Sequence, residues 1–277
     1  MIRVNWKCIW AVIKKEFMDN VRNKWVIAAT LVFITLALVV SYFGSASETG
    51  ETGLREFQAS IAGMLEISAI VVPIIALMLG YSAVVAERER GSLDLLLTMP
   101  ISRTELFVSK LLGLTSVLFL STFLGFGCAG IVIAIGAGTE NWPEYLIFLG
   151  GTFLLGLVFL SLAMLLSTGA KKRATAIGGS VLIWFVFAMI FNIINVGAYF
   201  ASGGTLDDLI SGFLPDWYYV AQLLNPTQAY GILTLFAIEL GGQFPEFLSP
   251  GLAVGVMLVW VFVPLFLSLW CFVRKDI

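Results

Sequence analysis

Six runs of apolar residues, each close to the length of about twenty that a helix needs to cross a bilayer, decide what this chain can fold into. They lie at roughly 25–44, 66–86, 111–137, 145–168, 174–201 and 251–273. Inside a bilayer every backbone N–H and C=O must be paired within the protein, so such runs have to be helices. Of the 277 residues only 12% are charged, against about 25% in soluble domains. The expected fold is an all-α membrane protein with six transmembrane helices. Residues 1–24 precede it as a cytoplasmic amphipathic helix, and 25–277 form the transmembrane domain. The linker from Gly169 to Arg173 is short enough to force spans four and five antiparallel. The first apolar run is too long, and too far behind a charged segment, for a cleaved signal peptide.

Charge sets the orientation. Fifteen of the sixteen Lys and Arg residues fall before span one, between spans two and three, between four and five, and after six. Only Arg55 lies on the other side, which is rich in acids such as Glu140, Glu144, Asp207, Asp208 and Asp216. Cationic loops are retained in the cytoplasm. Both termini are therefore expected in the cytoplasm, in the cell inner membrane.

Before span one, Trp6, Ile9, Trp10, Ile13, Phe17 and Val21 recur at helical spacing, with Lys7, Lys14, Lys15, Asp19 and Arg22 opposite. This predicts a helix lying in the headgroup plane. The loop at 87–110 is the most informative stretch. It opens on Glu87-Arg88-Glu89-Arg90-Gly91, and Ser92 can cap a short helix over Leu93 to Met99 with Asp94 in its first turn. Pro100 stops that helix. Ser102 and Glu105 have the spacing of a capping box that opens the next one. A mere connection could be far shorter, so this loop reads as a rigid knuckle. The long loop at 202–250 lacks cations and is broken by Pro215 and Asn225-Pro226. It predicts re-entrant or interfacial helices on the outer side, with Trp217, Tyr218 and Tyr219 in the aromatic belt.

The chemistry is sparse. There is no histidine and no phosphate-binding loop, which removes His-based catalysis and nucleotide binding by that route. Cys8, Cys128 and Cys271 have no paired spacing, so neither a disulfide framework nor a metal site is expected. No catalytic residue stands out, and the enzyme reading is rejected. The spans hold almost no ionisable group, which disfavours an ion-coupled secondary transporter. Asn192 and Asn195, three apart on one face, fit helix–helix hydrogen bonding, with a substrate path as the alternative. Cys128 lies in a small-residue strip between Gly125 and Gly130 and is the third candidate for that path. Pro73 and Pro264 should kink spans two and six by freeing the carbonyls of Ala69 and Trp260. A membrane body, a stiff knuckle and no energy source suit a subunit driven by a separate motor protein.

The run from Glu87 to Lys110, with Gly-Ser-Leu at 91–93 and Leu-Leu-Thr-Met-Pro-Ile-Ser-Arg at 96–103, resembles the cytoplasmic loop of type-2 ABC exporter permeases. The resemblance covers essentially the whole chain. Within that family it is most similar to the permeases of nitrous-oxide reductase copper-centre maturation, the NosY type. The stretches that carry this are Pro73–Tyr81, Leu95–Pro100, Gly125–Gly130, Trp184–Phe187 and Leu223–Tyr230. The Glu-Arg-Glu-Arg turn at 87–90 departs from the more acidic turn expected there. The resemblance implies a homodimer of permeases bound to two ATPase subunits, which carry the ATP and Mg while this chain binds no cofactor. It makes the stretch after span two a coupling helix. Glu87, Arg88, Glu89, Arg90, Gly91, Ser92, Asp94, Pro100, Ser102, Arg103 and Glu105 are then the residues expected to take up force. The implied task is export of a sulfur species, or transmission of force to an outer accessory protein, for copper-site assembly. An ABC-2 exporter of a drug, lipid or ion is the alternative. No nucleic-acid partner is implied.

Overall fold

A computed structural model describes residues 6–45, 54–91, 101–137, 141–212, 214–238 and 244–274. Among the described residues every regular element is helical. In chain order these are α1 (Trp6–Val21), α2 (Lys24–Ser45), α3 (Leu54–Gly80), α4 (Val85–Glu89), α5 (Arg103–Ala137) and α6 (Trp142–Gly169). There follow α7 (Arg173–Ala201), α8 (Leu206–Ser211), α9 (Asp216–Leu223), α10 (Pro226–Ala237) and α11 (Pro250–Arg274).

Five stretches are long and apolar enough to cross a membrane: Phe57–Glu89, Arg103–Ile135, Trp142–Gly169, Arg173–Ala201 and Pro250–Arg274. A sixth is reached only when α1 and Val26–Val40 of α2 are counted together as one broken span; α2 itself is 22 residues long, which at about 1.5 Å per residue matches the hydrocarbon thickness. It follows α1 across a 65° bend. The second span begins earlier than its apolar run predicts, because α3 is already helical from Leu54. Its amphipathic first turns carry too many polar residues to read as membrane, and Glu66 is exposed on its surface.

The centre of the body is α6, which is the most buried of the five long apolar stretches and packs between α3 and α11. Two polar devices fix this core. Pro264 inside α11 cannot donate to the carbonyl of Trp260, and Ser161 of α6 donates its hydroxyl there instead, at 3.0 Å. Tyr230 of α10 is fully buried, and its hydroxyl lies 2.7 Å from Ser68 Oγ of α3 and 2.8 Å from Thr152 Oγ1 of α6. That bond pair wedges α10 among the spans. We expect Tyr230→Phe to lower stability by about 1 kcal/mol, since it removes two buried hydrogen bonds while Ser68 and Thr152 keep theirs to the Leu65 and Phe148 carbonyls. Thermal unfolding in detergent measures it.

Sequence signals place α8 and α10 well. Thr205 Oγ1 accepts from Asp208 N at 3.2 Å to start α8, and Gly212 at φ 78° ends it. Asn225 Oδ1 accepts from Thr227 N at 3.0 Å, and Pro226 occupies the first turn of α10. One feature escaped the sequence: α7 widens into a π-helix at Val186–Ile190. Asn225 Nδ2 donates to the Phe187 carbonyl there, at 2.8 Å. That bond ties the widened turn to the start of α10.

The packed face of α1 is narrower than its apolar stripe. Trp6 and Trp10 are 74% and 67% exposed, while Ile9, Val12 and Glu16 are buried. The cause lies in α5. A Cβ placed on Gly113 would come within 2.6 Å of Glu16 Cβ. The glycine is thus a notch into which the Glu16 face of α1 settles, leaving both tryptophans free for the interface.

Candidate functional site

The short helix α4 joins four other elements. Its Val84 and Val85 amides donate to Ser167 Oγ of α6, at 2.9 and 3.1 Å. That hydroxyl supplies the N-terminal cap that Val84 itself lacks. Arg88 Nη1 donates to the carbonyls of Ala170 at 2.8 Å and Thr168 at 3.4 Å, at the C-terminal end of α6. Glu89 Oε1 accepts from the backbone N of Arg173 at 2.6 Å, at the N-terminal end of α7. A cation meets the negative end of one helix and an anion the positive end of the next.

Glu87 completes the junction. Its Oε2 lies 2.7 Å from Lys110 Nζ of α5, and its Oε1 accepts from Lys15 Nζ of α1 at 3.1 Å. Lys110 also reaches Glu16 Oε1 at 2.7 Å, and Lys15 Nζ is 3.9 Å from the same oxygen. Two ammonium groups and two carboxylates thus form a closed ring of compensated charge. Lys110 is only 1% exposed and Glu16 7%. Partial burial pulls the Lys15 ammonium pKa down, but the Glu87 and Glu16 carboxylates and the hydrogen bond to Glu87 outweigh it and hold the value above the ordinary lysine range. Because the folded value is raised, this contribution is constant through neutral pH and is lost only on strong alkalinisation.

The next helix starts as the sequence predicts. Ser102 N and Oγ both donate to Glu105 Oε2 at 2.7 Å, and Glu105 N donates to Ser102 Oγ at 3.2 Å. Arg103 Nη1 donates to the Val273 carbonyl at 3.2 Å, near the end of α11. Gly91 takes φ 67°, a left-handed turn that suits glycine, and Arg90 is exposed beside it. Ser92, Asp94 and Pro100, with the short helix expected over Leu93 to Met99, lie outside the described residues.

The other candidates do not converge. Asn192 Oδ1 accepts from Gln228 Nε2 of α10 at 2.8 Å, a helix–helix bond. Asn195 is buried on α7, and Cys128 is exposed on α5. The small-residue strip around Cys128 divides. Gly125 closes on Phe33 of α2 and Gly130 on Tyr145 of α6, while Gly127 meets nothing. Among the described residues no group of three His, Cys, Asp or Glu could hold a metal ion.

Sequence reasoning missed Lys110, Glu16, Lys15 and Ser167 as site residues. Lys110 carried a usable signal: an ammonium flanked by Phe107, Val108, Leu111 and Leu112 needs a buried anion nearby. Glu16, a carboxylate among the apolar positions of α1, was its counterpart.

Comparison with known proteins adds the family. The ABC-2 family transporter protein model matches residues 10–277. A probable ABC transporter permease protein NosY from Pseudomonas aeruginosa is 34% identical over 270 residues, covering 95% of this chain and 93% of that protein. A probable ABC transporter permease protein NosY from Stutzerimonas stutzeri is 32% identical over 280 residues, covering 96% and 98%.

Proposed function

We propose a function from the premise that this chain belongs to the ABC-2 transporter family: it is the permease subunit, and the α4 junction passes force from a separate ATPase into the spans. The observation that carries the proposal is the anchoring of α4. One five-residue helix is bonded to α1, α5, α6 and α7. A push on the segment that follows Gly91 therefore bears on four elements together. Glu87, Arg88 and Glu89 act as anchors of the lever, and Arg90, Gly91, Ser92, Asp94 and Pro100 form the part that meets the motor. Ser102, Arg103 and Glu105 hinge the lever onto α5 and α11.

The functional unit we propose is a homodimer with two ATPase copies that bind ATP and Mg. It is set in the inner membrane with both termini in the cytoplasm. In support, Met189, Ile193, Ile194 and Phe200 of α7 are exposed within the chain, which leaves an apolar face for a second copy. Similarity to two NosY permeases supports a role in copper-site maturation of nitrous-oxide reductase. That role is either export of a sulfur species or transmission of force to an accessory protein on the outer side. Affinity purification of the tagged chain from its own membranes tests the core of this reading. An ABC ATPase should co-purify in equimolar amount and hydrolyse ATP. Recovery of the intact permease with no ATPase would overturn it.

A further inference from the structure

Between α3 and α7, at the end of the body that carries the α4 junction, lies a cavity of about 570 Å³. Met78 of α3 and Ile177 and Val181 of α7 give it apolar walls, and Val181 is 61% exposed. Its polar groups include Arg173, Tyr81, Ser180 and Asn23, and no carboxylate lines it. Arg173 Nη2 donates to Tyr81 Oη at 2.9 Å, and the guanidinium lies 5.5 Å from that ring's centroid. Tyr81 thus holds the cation in place without neutralising it. The Glu89 carboxylate engages the backbone amide of residue 173, and the Arg173 side chain makes no ion pair among the described residues.

Two atoms around this cavity are buried and have no hydrogen-bond partner among the described residues: Arg173 Nε and Ser180 Oγ. Ser180 is only 6% exposed. A buried unpaired polar atom costs about 1–3 kcal/mol, more when charged, and native proteins rarely carry two at one place. The two residues are seven apart, hence two turns or about 10 Å along one face of α7. A small inorganic anion would use the cation and leave the serine and the apolar walls idle. A hydrocarbon would leave both polar atoms stranded.

We propose that this cavity is a binding site for an amphipathic anion. Its charged head rests on Arg173, a hydrogen-bonding linkage such as an ester meets Ser180, and its apolar chain runs along Ile177 and Val181. An anionic phospholipid has this pattern, and so does any acylated anion drawn from the cytoplasmic side. The site deepens the permease reading, on which its role as a loading point rests.

Trp184 lines the same cavity and provides the readout. The purified complex in neutral detergent is titrated with phosphatidylglycerol bearing brominated acyl chains, which quench nearby tryptophans. Subtracting the Trp184→Phe variant isolates the Trp184 signal. Saturable quenching is expected, with brominated diacylglycerol, which has the same chains and no phosphate, weaker by about tenfold, the loss of one charge-assisted contact. Arg173→Gln should weaken phosphatidylglycerol binding by a similar factor, Arg173→Lys by less, and Ser180→Ala by about two- to fivefold. Equal quenching by both lipids, or unchanged binding in Arg173→Gln and Ser180→Ala, would overturn the proposal. Displacement of the lipid by millimolar inorganic phosphate would also overturn it, by assigning the site to a soluble anion. A Val181→Cys disulfide between two copies in the resting complex would overturn it too, by filling the cavity with protein. Any of these results with the ATPase still bound would leave the permease reading standing.

Discussion

Lys110→Met will destabilise the isolated permease by about 3–5 kcal/mol, the range for removing one partner of a buried ion pair. The substitution keeps the volume and the unbranched chain, so packing is nearly conserved. What it removes is the cation that lies 2.7 Å from Glu16 and 2.7 Å from Glu87. Lys15 remains, but it is 3.9 Å from Glu16 and half exposed, so it compensates only part. Two carboxylates then face each other across a mostly dry junction, and α1 loses its bond to α5. Denaturant unfolding in detergent, followed by tryptophan fluorescence, should show the loss as a shifted midpoint. The triple variant Lys110→Met, Glu16→Gln, Glu87→Gln should recover most of it, because no unpaired charge is left. A cost under about 1 kcal/mol for the single variant would place the ring in water and give it the weight of a surface pair.

The membrane body was legible because lipid leaves so few solutions. Six apolar runs, a short linker at Gly169–Arg173 and a capping box at Ser102–Glu105 are local patterns, and the structure contains the helices, the tight α6–α7 connection and both capping bonds. What stayed hidden depends on partners distant in sequence. Which residues of α1 dock on the body had no local signal, because the notch at Gly113 is about a hundred residues away. The knuckle's charges looked like a surface offered to another protein. Three of them bond back to the body, because the ends of α6 and α7 need Arg88 and Glu89, and Lys110 needs Glu87. The π-turn in α7 has no local signal, since its freed carbonyl is satisfied by Asn225 from the next packed helix. Spacing alone could not show that Asn192 and Cys128 look in different directions.

Exchanging the signs of Arg88 and Glu89, as Arg88→Glu with Glu89→Arg, should uncouple ATP hydrolysis from the proposed maturation role. The charge, composition and exposed surface of the turn change little, so insertion and ATPase binding should survive. The geometry does not survive. Position 88 would set a carboxylate against the carbonyls of Thr168 and Ala170, and position 89 a cation against the amide of Arg173. Each helix-end interaction stabilises by about 0.3–1 kcal/mol, and up to about 2 when partly buried, and each would reverse in sign. A loss of about 2–4 kcal/mol in the clamp is enough to shift a two-state lever by more than tenfold. In purified complex, hydrolysis should stay within about twofold of the parent. Under the proposed maturation role, the copper content of nitrous-oxide reductase in cells should fall by about tenfold or more. Arg90→Glu offers the control, because that side chain is exposed. It should weaken ATPase recovery and leave the clamp intact. Copper loading that stays normal in the exchanged variant would mean the force enters by another route, with α1 and its Lys15–Glu87 contact the next element to test.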